Sequence, residues 1–339
     1  MLITTSSDLP GEMQGIYDRN IIQNAGPILI YDRFGQSRPA PANMGTRVNF
    51  KRFGKLPVNT TPLVEGVTPT GKKLSAYTMY ATLQQFGDFI TLSDWVQLTG
   101  LDSNLLSIGK EMLSEQMAET SDILTRNHLL TGTYVRYAGG SVTTRATVAS
   151  AITDSDVDSI VRTLENNRAK KISEMKLPGV KVNSVPIRPS YIAVTHPDNR
   201  KNVESLTGFN PVETYSSQDP LSKAAGELIE IGECKGIRFL ATTNCKIWPA
   251  GGAVIGTTGL KSSDATNIDV YGTLVFGRNA YGIIPLQKGT VKNIVKALGS
   301  AGTEDPLDQR ATSGWKMAKT HKILVEEFMI RWEHGVTDL

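Results

Sequence analysis

Eight residues, Gly66-Val67-Thr68-Pro69-Thr70-Gly71-Lys72-Lys73, come within one position of the GxxxxGK[ST] loop that cradles nucleotide phosphates. In such a loop the backbone N–H groups and the lysine hold the phosphates, and the last hydroxyl ligates magnesium. Lys73 stands where that hydroxyl belongs, so the metal ligand is missing. A phosphate loop must also lead into a helix whose N-terminus faces the anion. Leu74 to Leu83 alternates as a strand does, so the segment reads as a mobile ribbon tip rich in Gly, Thr and Lys.

The remaining reactive residue types are scattered. His128, His196, His321 and His334 form no HExxH pair and have no carboxylate at ligand spacing. Thr195-His196-Pro197-Asp198 is a turn from strand to helix, a place where enzymes often keep active residues. Capping and turn formation account for Thr195, Pro197 and Asp198 equally well. No GxSxG nucleophile elbow is present. Glu326 and Glu327, read as neighbours on a strand, point to opposite faces and share no site; one is expected to be solvated and one ion-paired. Cys234 and Cys245 fall on the two arms of a predicted hairpin and read as core thiols. The Asn59-Thr60-Thr61 sequon carries no meaning without a secretory signal. No catalytic, cofactor-binding or metal-ligating residue is assigned, and no cofactor is expected.

Composition agrees with a soluble fold. The chain has 339 residues, 40% hydrophobic and 20% charged, enough for two domains or one elaborated one with a sizeable core. A net charge of +3 gives no whole-molecule footprint for nucleic acid or membrane, so any such contact must be local. Two cysteines are too few for a disulfide framework. The N-terminus lacks a basic and then apolar signal pattern, and no apolar run approaches the ~20 residues of a membrane span. Synthesis in the cytoplasm is the expectation.

The elements that carry these residues follow from their periods. Up to Met44, Gly26-Pro27, Pro39 and Pro41 interrupt short apolar runs, which predicts an extended arm with one short helix near Ile16 to Gln23. Thr46 to Phe53 alternates with period two, and so does Tyr77 to Gln84. The long Gly, Pro and Thr-rich connection between them makes an open β ribbon, marginal alone in water and in need of a surface to lie on. After a possible cap at Ser93 or Asp94, an amphipathic helix is predicted from about Asn104 to Leu130. Its apolar stripe runs through Leu105, Ile108, Met112, Leu113, Met117, Ile123, Leu124 and Leu130, and Gly132 stands as C-cap. A rod of that length measures roughly 40 Å.

A second helix carries Asp154, Asp156 and Asp158 in its first turn and Arg168, Lys170 and Lys171 at its end, matching the helix dipole. Tyr191 to Val194 reads as a buried strand, Glu227 to Thr243 as a hairpin turning near Lys235-Gly236, and Val270 to Ile284 as another strand region. Thr320 to His334 reads as one long strand. The fold class is α+β. From Arg19 to Lys55, basic residues outnumber acidic ones, so the arm and ribbon root face either acidic surfaces of sister subunits or nucleic acid. Without an aromatic stacking series, subunit contact is the better reading.

The order of arm, ribbon, long helix and α+β domain with a returning strand resembles the major capsid proteins of tailed bacteriophages with the Hong Kong 97-like fold. The segments IYDRNIIQNAGPILIYDRFG, LVEGVTPTGKKLSAYTMYATLQQFGDFITLSDW, YIAVTHPDNRKNVESLTGF and YGTLVFGRNAYGIIPL resemble the group typified by podophage N-four. The resemblance implies an N-terminal arm over 1–44, an E-loop over 45–92, a peripheral domain with spine helix over 93–149, an axial domain over 150–285 and a return to the peripheral domain over 286–339. It also implies pentamers and hexamers of the chain in an icosahedral virion capsid around double-stranded DNA, assembled in the host bacterial cytoplasm. Scaffolding, portal and decoration proteins are the implied further partners, and no membrane is involved. No fused scaffolding domain is expected. One branch of this fold crosslinks an E-loop lysine to a neighbour's asparagine; Lys72 and Lys73 lie near the tip, but no partner is identified and no bond is expected. The alternatives are a P-loop-like nucleotide-binding enzyme centred on Gly66 to Lys73 and a basic nucleic-acid-binding module centred on the arm.

Overall fold

The computed structural model describes residues 30–37, 45–99, 105–176, 184–214, 229–256, 259–285, 292–300 and 305–338. The helix expected near Ile16 to Gln23 lies outside them. Helix α1 (Tyr31–Phe34) and strand β1 (Gln36–Ser37) precede the ribbon strands β2 (Arg47–Phe53) and β3 (Ala76–Thr82). These pair antiparallel from Arg47 opposite Thr82 to Phe53 opposite Ala76, where the two alternating segments place them. Strand β4 (Gln84–Ser93) follows, then α2 (Asp94–Thr99), with the Ser93 hydroxyl accepting from the Val96 N–H at 3.3 Å as an N-cap. Helix α3 (Leu105–Leu129) is the predicted rod.

After β5 (Val135–Tyr137) comes α4 (Asp154–Asn166), whose start is closed reciprocally. The Thr153 hydroxyl accepts from the Asp156 N–H at 3.3 Å and donates to the Asp156 carboxylate at 2.8 Å. The basic residues expected at its end, Arg168, Lys170 and Lys171, lie beyond the last turn. The chain continues through β6 (Ile172–Lys176), β7 (Ser184–Thr195), α5 (Arg200–Glu204), β8 (Asn210–Pro211), β9 (Ile229–Cys234), β10 (Ile237–Ala241) and β11 (Lys246–Trp248). It closes with β12 (Val270–Phe276), β13 (Tyr281–Pro285), β14 (Lys292–Lys296), β15 (Arg310–Ile323) and β16 (Met329–His334).

Two sheets and the ribbon result. The larger sheet runs β5-β16-β12-β7-β10-β9-β8, with β11 on β12 and β6 on β7. Both its faces are covered, which explains why β7 and β12 read as continuous apolar runs. On one face Ile192, Val194, Leu274 and Phe276 pack with Tyr31, Phe34, Leu129 and Tyr281. On the other, Tyr191, Ala193, Phe239 and Trp332 meet Val157, Ile160 and Leu164 of α4. Each buried Val, Leu, Ile or Phe among them contributes about 1.5–3 kcal/mol. The hairpin turns at Lys235-Gly236, both at positive φ.

The smaller sheet runs β1-β13-β15-β14, with β4 on the other side of β15. Ten residue pairs, from Arg310 opposite Ser93 to Lys319 opposite Gln84, zip β15 to β4. The long strand expected from Thr320 to His334 is two strands: β15 ends at Ile323, a 3₁₀ turn occupies Glu326–Phe328, and β16 joins the other sheet. Glu326 interrupts the apolar series at the turn, but the same parity resumes at Phe328, so the alternation reads on across the break. Sheets and sequence blocks also interleave, since β5 and β16 share a sheet with β7 and β12.

Two helix details differ from expectation. Gly132 lacks the left-handed backbone of a C-cap; a Cβ there would stand 2.7 Å from the Met329 Cε, the movable end of a flexible side chain. Met112, placed in the apolar stripe by its spacing, is 60% exposed, while Asp122 and Thr125 are fully buried.

Candidate assembly surfaces

The ribbon has one anchored face and one bare one. Val48, Phe50, Met79 and Ala81 pack against Ile284 and Leu324, the support that a two-stranded ribbon needs. The opposite face carries Arg47, Asn49, Lys51 and Phe53 across from Thr82, Tyr80, Thr78 and Ala76. Arg47 lies over the Tyr80 ring, 3.7 Å from its centroid. Beyond the ribbon, residues 54–75 form neither helix nor strand. Val58 (80% exposed), Leu63 (75%), Val64, Val67 and Leu74 all face solvent there. Monomeric proteins seldom show so much apolar surface without a partner for it.

The sequence-predicted residues of the tip meet no reactive arrangement. Lys72 Nζ donates to the Pro57 carbonyl at 2.9 Å, and Gly66 turns at φ +78. The segment leads into strand β3, where a phosphate loop would open a helix. His196 caps the Pro197–Asn199 turn, its Nδ1 accepting from the Asp198 N–H at 3.2 Å. Burial pushes His334 down to about 4 and His321 down to about 3, the latter also repelled by Lys319, so both rings are neutral at physiological pH. Glu327 approaches Arg52 at 3.9 Å, and Glu326 accepts from the Thr133 hydroxyl. They lie in a 3₁₀ turn, not on a strand, and both line one pocket with Arg52 and Lys322, so the expectation that they point to opposite faces and share no site does not hold. Cys234 ends β9 as expected, whereas Cys245 lies past the hairpin's second arm. Both thiols are free and buried, and burial raises Cys245 to about 12. Among the described residues no group of three or more His, Cys, Asp or Glu could hold a metal ion.

A charged cluster that sequence reasoning missed ties the 30–37 segment to the C-terminal third of α3. Lys319 of β15 donates to Asp32, to the Ser121 hydroxyl at 2.6 Å and to the Thr125 hydroxyl at 3.2 Å. Ser121 and Thr125 themselves donate to Asp32 at 2.6 and 2.5 Å. Next to Ser121, Asp122 accepts the Tyr31 N–H at 2.8 Å and the Ile30 N–H at 3.2 Å. Burial works against the Asp32 carboxylate, but the Lys319 ammonium and these hydrogen bonds outweigh it and hold its pKa below the ordinary range. Asp122 goes the other way: burial, reinforced by the Asp32 charge, raises it to about 7. Asp32 and Lys319 are 287 positions apart, so no local period could have paired them.

On the face of the smaller sheet away from α3, a groove of about 550 Å³ runs between β4, β15 and β14. Phe89 and Ile294 stand exposed in it beside Lys296 and Lys316. Gly87 and Gly314 belong to its lining, and both sit hard against neighbouring backbone.

A family model described as phage capsid protein matches residues 76–275, more than half of the chain. The chain belongs to the phage capsid protein family. Among solved structures it is similar to the capsid of Ralstonia phage GP4, with 12% identity, TM-score 0.64 and coverage of 97% of this chain and 96% of that one. It is also similar to the head of Helicobacter pylori bacteriophage KHP40, with 14% identity, TM-score 0.61 and coverage of 99% and 98%. The capsid of cyanophage P-SCSP1u gives 12% identity, TM-score 0.59 and coverage of 95% and 93%. No curated protein matches the sequence. The α+β class and the Hong Kong 97-like fold implied by the resemblance both hold. This capsid protein is a structural component of a phage capsid.

Proposed function

We propose that copies of this capsid protein join as pentamers and hexamers into an icosahedral shell around double-stranded phage DNA, each ribbon and tip lying over a neighbouring subunit. The observation that carries this reading is the bare apolar tip, residues 54–75, on a ribbon anchored by one face only. Neighbouring subunits supply the cover that the isolated chain lacks. In this reading residues 1–44 act as the arm, 45–92 as the E-loop, 93–149 as the peripheral domain with α3 as spine, 150–285 as the axial domain and 286–339 as the return to the peripheral domain. Assembly takes place in the host bacterial cytoplasm, with scaffolding, portal and decoration proteins as further partners. No helix among the described residues is long and apolar enough to cross a membrane.

Deleting Gly54 to Lys73 tests the reading, because the deletion removes the tip and leaves β2 and β3 intact. The expected product is a folded subunit by circular dichroism that forms no stable shells by sedimentation and negative-stain microscopy. Shells of normal yield and stability from the deletion would overturn it.

A further inference from the structure

Charge is unevenly divided over this chain. Between Gly45 and Leu83 six Lys and Arg residues stand against one Glu, in a chain whose net charge is only +3, which leaves the remainder net acidic. On the ribbon's outward face Arg47 and Lys51 are exposed, and neither makes an ion pair among the described residues. Phe53 and Tyr80 are exposed on the same face.

The opposite pattern lies on α3. Glu111, Glu115 and Glu119 recur every fourth residue along the side of the helix turned away from buried Leu113, with Glu111 and Glu115 exposed and Glu119 half-buried. Among the described residues none of the three has an ion-pair partner, and like charges at this spacing repel. Met112, 60% exposed, stands beside the row. Lys110 points about 100° round the helix from Glu111 and does not break the row.

The two patterns share a spacing. Four residues of strand carry Arg47 to Lys51 over roughly 13 Å. Eight residues of helix carry Glu111 to Glu119 over roughly 12 Å. We propose that the outward face of the β2–β3 ribbon docks on the Glu111, Glu115 and Glu119 row of α3 in a second copy of the chain, an inference that rests on the shell-assembly function above. Arg47 and Lys51 meet the two outer carboxylates, Asn49 faces Glu115, and the Phe53 and Tyr80 rings cover Met112. Stacking on Tyr80 already orders the Arg47 guanidinium, which lowers the entropy lost on pairing. A nucleic-acid partner for the ribbon would leave the helix row unpaired, whereas a second copy satisfies both.

Four proteins test the pairing: wild type, Arg47→Glu with Lys51→Glu, Glu111→Lys with Glu119→Lys, and all four changes together. Shells are counted by sedimentation and negative-stain microscopy, and folding is followed by circular dichroism. Each half-swap is expected to cut shell yield at least tenfold, and the fourfold variant to recover most of it, because it restores opposite charges across the contact. Half-swaps that assemble like wild type would overturn the pairing, as would a fourfold variant no better than either half. So would an Arg47→Glu, Lys51→Glu protein that forms shells in normal yield but retains less nucleic acid. If a half-swap does not fold, Lys51→Glu alone, Glu119→Lys alone and their combination read the same coupling. A wild type that forms no shells would instead overturn the assembly function itself.

Discussion

Asp122 keeps its proton to about pH 7 because burial and the Asp32 carboxylate outweigh the three donors that favour its charge, from Asn244, Tyr31 and Ile30. Between the ordinary 3.8 and about 7 the folded chain holds a proton that the unfolded chain has lost, so this group makes stability fall as pH rises through that window. Over the whole window the size is on the order of 4 kcal/mol. Asp122→Asn should remove this fall, and denaturant unfolding at pH 5 and pH 8 should show the variant gaining on wild type as pH rises. An unchanged difference at the two pH values would contradict the assignment. Asp32 acts oppositely: its contribution is present above about 3.8 and is lost as pH falls through its lowered folded value. Lys319→Met strands that carboxylate and should cost about 3–5 kcal/mol, whereas adding Asp32→Asn should recover a large part of the loss. A double variant as unstable as Lys319→Met alone would show that the ion pair is not what Lys319 supplies. None of these residues was legible as a site, because each looks like an ordinary surface charge until β15 and α3 come together.

At the scale of elements, local period was a good guide wherever an element's partner lay close in sequence. The bounds of α3, the β2–β3 ribbon and the turn at Lys235-Gly236 all follow from spacing and turn chemistry. The pairing of β4 with β15 does not, because a strand carries no label for a partner more than 200 positions away. The break after Ile323 was hidden for a related reason: parity survives the turn, while the chain moves from one sheet to the other. The β4–β15 seam makes its own prediction. A Cβ on Gly314 would stand 2.7 Å from the Phe89 Cβ and 3.0 Å from the Asp88 carbonyl, so Gly314→Ala must push the strands apart. The expected loss is about 1–3 kcal/mol by chemical denaturation. Gly71→Ala, with open space around it, is the control and should stay within about 0.5 kcal/mol of wild type. Equal effects at both sites would mean that the seam is looser than its geometry.

For the whole molecule, the surface holds what the subunit leaves unfinished. The large sheet is covered on both faces, and the 30–37 segment is fastened to α3 by buried hydrogen bonds. The tip and the outward ribbon face are bare. Sequence order and segment resemblance were enough to anticipate the capsid fold, because the arrangement of ribbon, rod and α+β body extends over nearly the whole chain. Which neighbour surface meets the ribbon was not legible, since contacts between copies leave no period within one copy. The central claim is that this chain completes itself by assembling. Negative-stain electron microscopy of the purified wild-type protein tests it most directly. Closed shells, tubes or rings of capsomers are the predicted result, and a field of monodisperse single subunits across the accessible concentration range would contradict it.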